Sequence, residues 1–281
     1  MKRKVNKTKI IFTDLDRTLL KDDSTFSKRS INALIKLREN SITTVIATGR
    51  NIFSAKKVLN DDFPIDYLIF SSGAGIIDWK MKEIVSEDHL SRNDVISTAE
   101  VLIAHNVDFM IHDTVPDNHE FLYYKIGKRN PDFLRRLKIY EKFAKPVTFP
   151  FEAENASQLI AILPKGSENR FDEIKAEIKG LKVIRATSPL DHKSIWLEVF
   201  PQNVSKGKAA EKLCKKLSIS QENTVGIGND YNDLDLLAFT RKSFVVANSP
   251  DELKQMYEVT KSNEEDGFAE VVEGLLTDQR R

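Results

Sequence analysis

The sequence predicts an α/β fold: a doubly wound parallel sheet interrupted by an inserted α+β domain. Three observations predict it. Short apolar strands alternate with amphipathic helices over the first 85 residues. The same alternation returns after about residue 190. The stretch between them has a different character, with several loops rich in Pro, Asp and Asn. The 281 residues suffice for one large domain or two modest ones. We place the core at residues 1–86 and 191–281 and the insertion at residues 87–190.

The elements follow in order. Lys9–Thr13 reads as a strand, and Ser27–Glu39 as a helix capped by Ser27 with Ile31, Leu34, Ile35 and Leu37 on its apolar face. Ile42–Ala47 is a β-branched strand, Ile52–Leu59 a helix, and Tyr67–Phe70 a strand ending in the turn SSGAG. Residues 76–85 read as a hairpin around Trp79-Lys80. The insertion holds helices at Ser91–His105, Pro131–Phe143 and Asn169–Ile178. Its strands are Val107–Ile111, Phe121–Ile126, Gln158–Leu163 and Leu181–Arg185. The core then resumes with strands Ile195–Phe200, Thr224–Ile227 and Ser243–Val246. Its helices are Lys206–Leu217, Leu234–Phe239, Glu252–Tyr257 and Gly267–Leu276.

Composition narrows the partners. Hydrophobic residues make up 41% and charged residues 30%, an ordinary globular balance. The formal net charge of +1 gives no reason to expect nucleic acid or an acidic membrane surface. The basic opening MKRKVNKTK precedes only three apolar residues, short of the roughly 7–15 in a signal peptide. No run approaches the roughly 18 apolar residues of a membrane helix. The single cysteine, Cys214, reads as a packing residue and allows no internal disulfide. The expectation is a cytoplasmic protein, monomer or homodimer, without nucleic-acid or membrane partner.

In KIIFTDLDRTLL (9–20) an apolar strand ends by presenting Asp14 and Asp16. In a doubly wound sheet, ligands sit beyond the carboxyl ends of the strands. Thr48-Gly49-Arg50, Ser205-Lys206-Gly207 and the run from Gly226 to Asp233 should reach the same edge. Carboxylates, a hydroxyl, an ammonium and glycine-assisted backbone N–H groups suit phosphoryl transfer, where positioning and charge stabilisation dominate. A phosphate oxyanion about 4 Å from a carboxylate is repelled by about 4 kcal/mol at an effective dielectric of about 20. A cation such as Mg²⁺ cancels that repulsion.

DLDRT (14–18) resembles the D-x-D-x-T first motif of the haloacid dehalogenase (HAD) superfamily. Thr48-Gly49-Arg50 resembles its second motif, Lys206 its third, and GNDYND (228–233) its fourth. The insertion between motifs two and three is similar to the C2 cap of the Cof-type subclass IIB, sugar phosphatases among them, and SSGAG resembles that subclass's S-N-G-A segment. The resemblance implies a Rossmann-like core, an α+β C2-type cap, and a Mg²⁺-dependent phosphatase of a small phosphorylated metabolite, a sugar phosphate in class. Asp14 would be nucleophile and Mg²⁺ ligand. Asp16 would be acid/base and give Mg²⁺ its backbone carbonyl. Thr48 and Lys206 would hold the phosphoryl group, and Asp233 would serve the metal directly or through Lys206 or water. Asn229 stands where the motif usually has Asp, so Asn229 or Asp230 would complete the metal site. Arg17 replaces the commoner Gly of the first motif and is given no role.

Gly49, Arg50, Ser72, Gly73 and Asn232 join the substrate-binding candidates at the mouth of the site. In the insertion the polar residues that could read a substrate are His105, His112, Asp113, His119, Arg129, His192 and Lys193, with His192 and Lys193 foremost. Alternative readings are a phosphosugar mutase of the same superfamily, a sugar-phosphate binding protein weakened at Asn229, and a signalling receiver. The last is shorter and lacks the acid two residues after its nucleophile.

Overall fold

The structure, a computed structural model, describes residues 8–127, 130–148 and 152–278. In chain order it begins with β1 (Ile10–Thr13), α1 (Lys28–Glu39), β2 (Thr43–Ala47), α2 (Ile52–Ala55), β3 (Tyr67–Phe70), β4 (Gly75–Asp78) and β5 (Glu83–Glu87). There follow α3 (Arg92–Ala104), β6 (Phe109–His112), β7 (Phe121–Tyr124), α4 (Pro131–Ile139), β8 (Ala144–Pro146), β9 (Gln158–Leu163), α5 (Glu168–Glu177), β10 (Leu181–Thr187) and β11 (Ile195–Pro201). The chain closes with α6 (Lys206–Lys216), β12 (Thr224–Gly228), α7 (Leu234–Phe239), β13 (Lys242–Val246), α8 (Asp251–Met256), β14 (Glu258–Thr260) and α9 (Gly267–Asp278). No helix among the described residues is long and apolar enough to cross a membrane.

The chain divides into two compact units. One gathers the residues up to Arg50, Ser54–Ser86, and those from Ser205 onward; the other gathers Asn51–Phe53 and Glu87–Val204. The first unit is built on an eight-stranded sheet ordered β14-β13-β12-β1-β2-β3-β4-β5. From β14 to β3 the neighbours are parallel, and β4 returns antiparallel to β3. This is the doubly wound α/β core. Ile10, Ile11 and Phe12 of β1 have no exposed surface, as expected of a central strand covered on both faces. Thr13 is level with Ile227 of β12 and Ile46 of β2, so the loops after all three strands leave at one edge. Ser27 caps α1 by accepting from Ser30 N. The helix buries Ala33, Leu34 and Leu37, whereas Ile35, expected on that face, is 42% exposed because it lies a third of a turn away.

The second unit has a six-stranded sheet ordered β10-β11-β9-β6-β7-β8, antiparallel except for the β7–β8 pair. Val95, Ala99 and Leu102 of α3 and Phe171 and Ile174 of α5 pack with Phe109, Leu159, Ala161 and Leu197. Phe133 of α4 and Tyr140 pack with Met110, Ile160, Ile162 and Trp196, the alternate residues of the same strands.

Several expectations need correction. The strand expected over Ile195–Phe200 and assigned to the core is β11, Ile195–Pro201, which lies between β9 and β10 in the six-stranded sheet, so the second unit runs on to Val204. An unbroken apolar strand carries the same pattern in either sheet; its partners decide. The helix expected over Ile52–Leu59 ends at Ala55, where Val58 N and Leu59 N both turn back to Ala55 O. The helix expected over Pro131–Phe143 stops at Ile139. The three-residue strands β8 and β14 were not anticipated. The last five residues, TDQRR (277–281), read from sequence as a frayed tail, but Thr277 and Asp278 belong to α9, which runs past the expected Leu276; residues 279–281 lie outside the described residues.

Candidate active site

The first unit brings its candidate residues together through the backbone. Asp14 N donates to Ile227 O at 2.8 Å, fixing the first motif against β12. Thr48 N donates to Ile69 O at 2.9 Å, and Thr48 Oγ1 accepts from Arg50 N at 3.0 Å. The 71–73 turn is tied to the same loop: Ser72 N donates to Thr48 O at 3.0 Å and Ser71 N to Arg50 O at 2.8 Å. Gly73 has φ of +106°, and a Cβ there would stand 2.4 Å from Ser205 O. Glycine alone permits that conformation and that approach, which seats the turn against the start of α6 and Lys206. Gly49 lies beside Ser72 and Asn232: a Cβ would meet Ser72 Oγ at 3.5 Å and Asn232 Nδ2 at 3.7 Å.

Lys206 joins the motifs electrically. Its Nζ donates to Asp14 Oδ1 at 2.6 Å and to Asp233 Oδ1 at 2.7 Å, and lies 3.5 Å from Asn232 Oδ1. All three charged groups are buried. Burial alone would lower the lysine pKa, but the two carboxylates more than offset it and raise it above its ordinary value. Asp14 behaves differently. Burial raises its carboxyl, Lys206 pulls it down, and Asp233 and Asp16 push it up again, to about 7. The two shifts describe one cluster. The ammonium has two anions, whereas Asp14 shares its ammonium with Asp233. Asp14 is the member short of positive charge.

Asp233 is fully engaged. Its Oδ2 accepts from Asn229 N at 2.8 Å and Asp230 N at 3.1 Å, while Oδ1 holds Lys206. A direct metal bond, one of the roles expected of it, would compete with these contacts. The Asp230 carboxylate accepts from Tyr231 N at 2.8 Å. Asn229 is half-buried. Asp16 is gripped by Arg50 through contacts of 2.5, 2.8 and 3.1 Å. Arg17 adopts φ of 58° and turns to Asp22 at 3.4 Å. The fork between Arg50 and Asp16 is the contact that sequence reasoning missed: spacing shows that an arginine follows Thr48-Gly49, but not which anion it meets.

These residues fit a hard divalent cation. Asp14, the Asp16 carbonyl and the side-chain oxygens of Asn229 and Asp230 are all oxygen donors, and Asp14 shares its one ammonium with Asp233. Among the described residues no three His, Cys, Asp or Glu side chains form a closed metal cage. Mg²⁺ does not need one, since it keeps several waters and takes one or two carboxylates.

The candidates in the insertion belong to the second unit. His192 and Lys193 are exposed on a turn in which Asp191 Oδ1 accepts from Lys193 N at 2.9 Å and Ser194 N at 2.8 Å. His112, named among the residues that could read a substrate, is wholly buried on a structural contact: its Nδ1 donates to Asn118 O at 2.9 Å, and Nε2 faces Arg136 Nη2 at 3.4 Å. His105 pairs with Glu177 at 2.9 Å, and His119 stacks on Phe53 with centroids 4.9 Å apart. Asp113 N donates to Glu120 O at 3.0 Å. Arg129 lies outside the described residues.

A family model of haloacid dehalogenase-like hydrolases matches residues 11–272. The chain belongs to that family. It is 27% identical over 291 residues to the 5-amino-6-(5-phospho-D-ribitylamino)uracil phosphatase YwtE of Bacillus subtilis, covering 96% of this chain and 99% of that protein. It is 25% identical over 255 residues to the HMP-PP phosphatase of Klebsiella pneumoniae, covering 88% of this chain and 86% of that one. A solved haloacid dehalogenase subclass IIB sugar phosphatase shares the fold, with a TM-score of 0.77 at 20% identity over 95% of this chain and 100% of that one. This haloacid dehalogenase-like hydrolase is a phosphoric monoester hydrolase.

Proposed function

We propose that the protein is a Mg²⁺-dependent phosphatase acting on a small phosphorylated metabolite, a sugar phosphate in class, through an aspartyl-phosphate. The observation that carries the reading is the buried contact of Lys206 with Asp14 and Asp233 at the end of β1. It sets a carboxylate that could act as nucleophile beside an ammonium that would hold the phosphoryl group. Asp14 attacks phosphorus, the bond to the leaving oxygen breaks, and Asp16 gives that oxygen its proton. Water then attacks the aspartyl-phosphate, Asp16 takes its proton, and phosphate and free Asp14 are regenerated. Lys206 and the Thr48 hydroxyl hold the phosphoryl oxygens. Asp14, the Asp16 carbonyl and Asn229 or Asp230 would hold Mg²⁺, which when bound supplies positive charge against the phosphoryl oxygens.

The test is phosphate release from a panel of phosphorylated sugars and other metabolites, with Mg²⁺ and with chelator, for wild type and Asp14→Asn. Release that needs Mg²⁺ and vanishes in the variant is expected. Near-wild-type turnover by Asp14→Asn would sink the reading.

A further inference from the structure

We infer that Arg50, which the sequence marks for the substrate, is a positioning residue for Asp16 and acts on the reaction through that carboxylate. The inference rests on the acid/base role proposed for Asp16. Arg50 Nε donates to Asp16 Oδ2 at 2.8 Å and Oδ1 at 3.1 Å, and Nη2 donates to Oδ1 at 2.5 Å. A fork of this kind fixes the plane of a carboxylate as well as its distance.

Arg50 is held in turn by the loop that carries Thr48. Its N donates to Thr48 Oγ1 at 3.0 Å, its carbonyl accepts from Ser71 N at 2.8 Å, and its Nη1 donates to Ser54 O at 3.1 Å. All three guanidinium nitrogens therefore have protein partners, and the face of the fork is turned on Asp16. Asp16 has less support of its own. It precedes Arg17, whose φ is 58°, and its side chain is 33% exposed. Without the fork, solvent and other rotamers are open to it. An acid/base group displaced by about 1 Å loses about 100-fold in rate. The structure thus links the second motif to the first: the loop that carries Thr48 also sets the carboxylate that serves the leaving group.

The experiment compares an alkyl phosphate monoester, glycerol phosphate, with an aryl one, p-nitrophenyl phosphate. The phenolate departs with little need of a proton, whereas the alkoxide needs one. Arg50→Ala should lower kcat/KM about 100-fold on the alkyl ester and about tenfold less severely on the aryl ester. Arg50→Lys, which keeps the charge and loses the fork, should show the same bias more weakly and carries the comparison if the alanine variant does not fold. Asp16→Asn with Arg50→Ala should be no slower than Asp16→Asn alone, to within about threefold. Equal losses on both esters, or a further large loss in the double variant, would overturn the inference and return Arg50 to the phosphoryl group. If Asp16→Asn itself lowers kcat/KM, which ends at departure of the leaving group, alike on both esters, the acid role of Asp16 fails, and this inference falls with it.

Discussion

Lys206 Nζ stands 2.6 Å from Asp14 Oδ1 with both groups buried, although 192 positions separate them in the chain. The contact closes the circle from the first motif to the third, and the second ion pair, Lys206 with Asp233, closes it to the fourth. Removing the ammonium leaves two buried carboxylates facing each other. We predict that Lys206→Met lowers unfolding free energy by about 3–5 kcal/mol at neutral pH, as breaking a buried ion pair does. Urea unfolding of the two proteins checks it, and an unchanged midpoint would contradict it.

Gly73 separates conformation from packing. Its φ is +106° and the space beside it is filled by Ser205 O, whereas Gly127, with φ of +83°, has nothing within 4 Å of a built Cβ. Gly127→Ala meets only the backbone penalty, about 1 kcal/mol. Gly73→Ala meets that and a clash with main chain, and should cost about 2–3 kcal/mol more. It should also displace the 71–73 turn from α6 and depress turnover. Parallel denaturation curves and phosphate-release assays measure both effects.

Burial, with Arg136 beside it, depresses the His112 imidazole to about 3, while its bond to Asn118 works the other way. The sign of the linkage follows. In the unfolded chain the group takes a proton near its ordinary value of 6.5, whereas the folded protein takes it only near 3. Stability from this group is complete above 6.5 and is lost as pH falls from 6.5 toward 3, at about 1.4 kcal/mol per pH unit. His112→Gln should flatten that acid limb. Melting temperatures of both proteins from pH 7 down to pH 4 test this; identical slopes would contradict it.

The sequence displays what is local. Asp14 and Asp16 after an apolar run, Thr48-Gly49 after the next strand, and Lys206 opening a helix are short patterns, and the level register of β1, β2 and β12 brings their loops to one edge. What it hides is pairing between distant segments. Ile195–Phe200 reads as a core strand because its apolar pattern is the same in either sheet. Arg50 reads as a ligand for phosphate because its partner, Asp16, lies 34 positions back. His112 reads as one of several polar residues that could meet a substrate, and only the Arg136 and Asn118 contacts reveal it as a buried structural group.

Asn229 provides a test of the metal reading. Its half-buried amide stands where the motif usually has a carboxylate, so Asn229→Asp adds a negative charge at the same place. Under the proposed reading it should tighten Mg²⁺ binding about tenfold, measured by calorimetric titration of the metal alone. An unchanged or weakened affinity would move the ligand role to Asp230.

The central claim is that Asp14 becomes covalently phosphorylated. The direct measurement is acid quenching of the enzyme during turnover with Mg²⁺ and a good substrate, followed by peptide mass analysis. The account predicts one phosphoryl group on the peptide that carries Asp14, absent without Mg²⁺. Phosphate release at full rate with no label on Asp14, or with label on another residue, would contradict it.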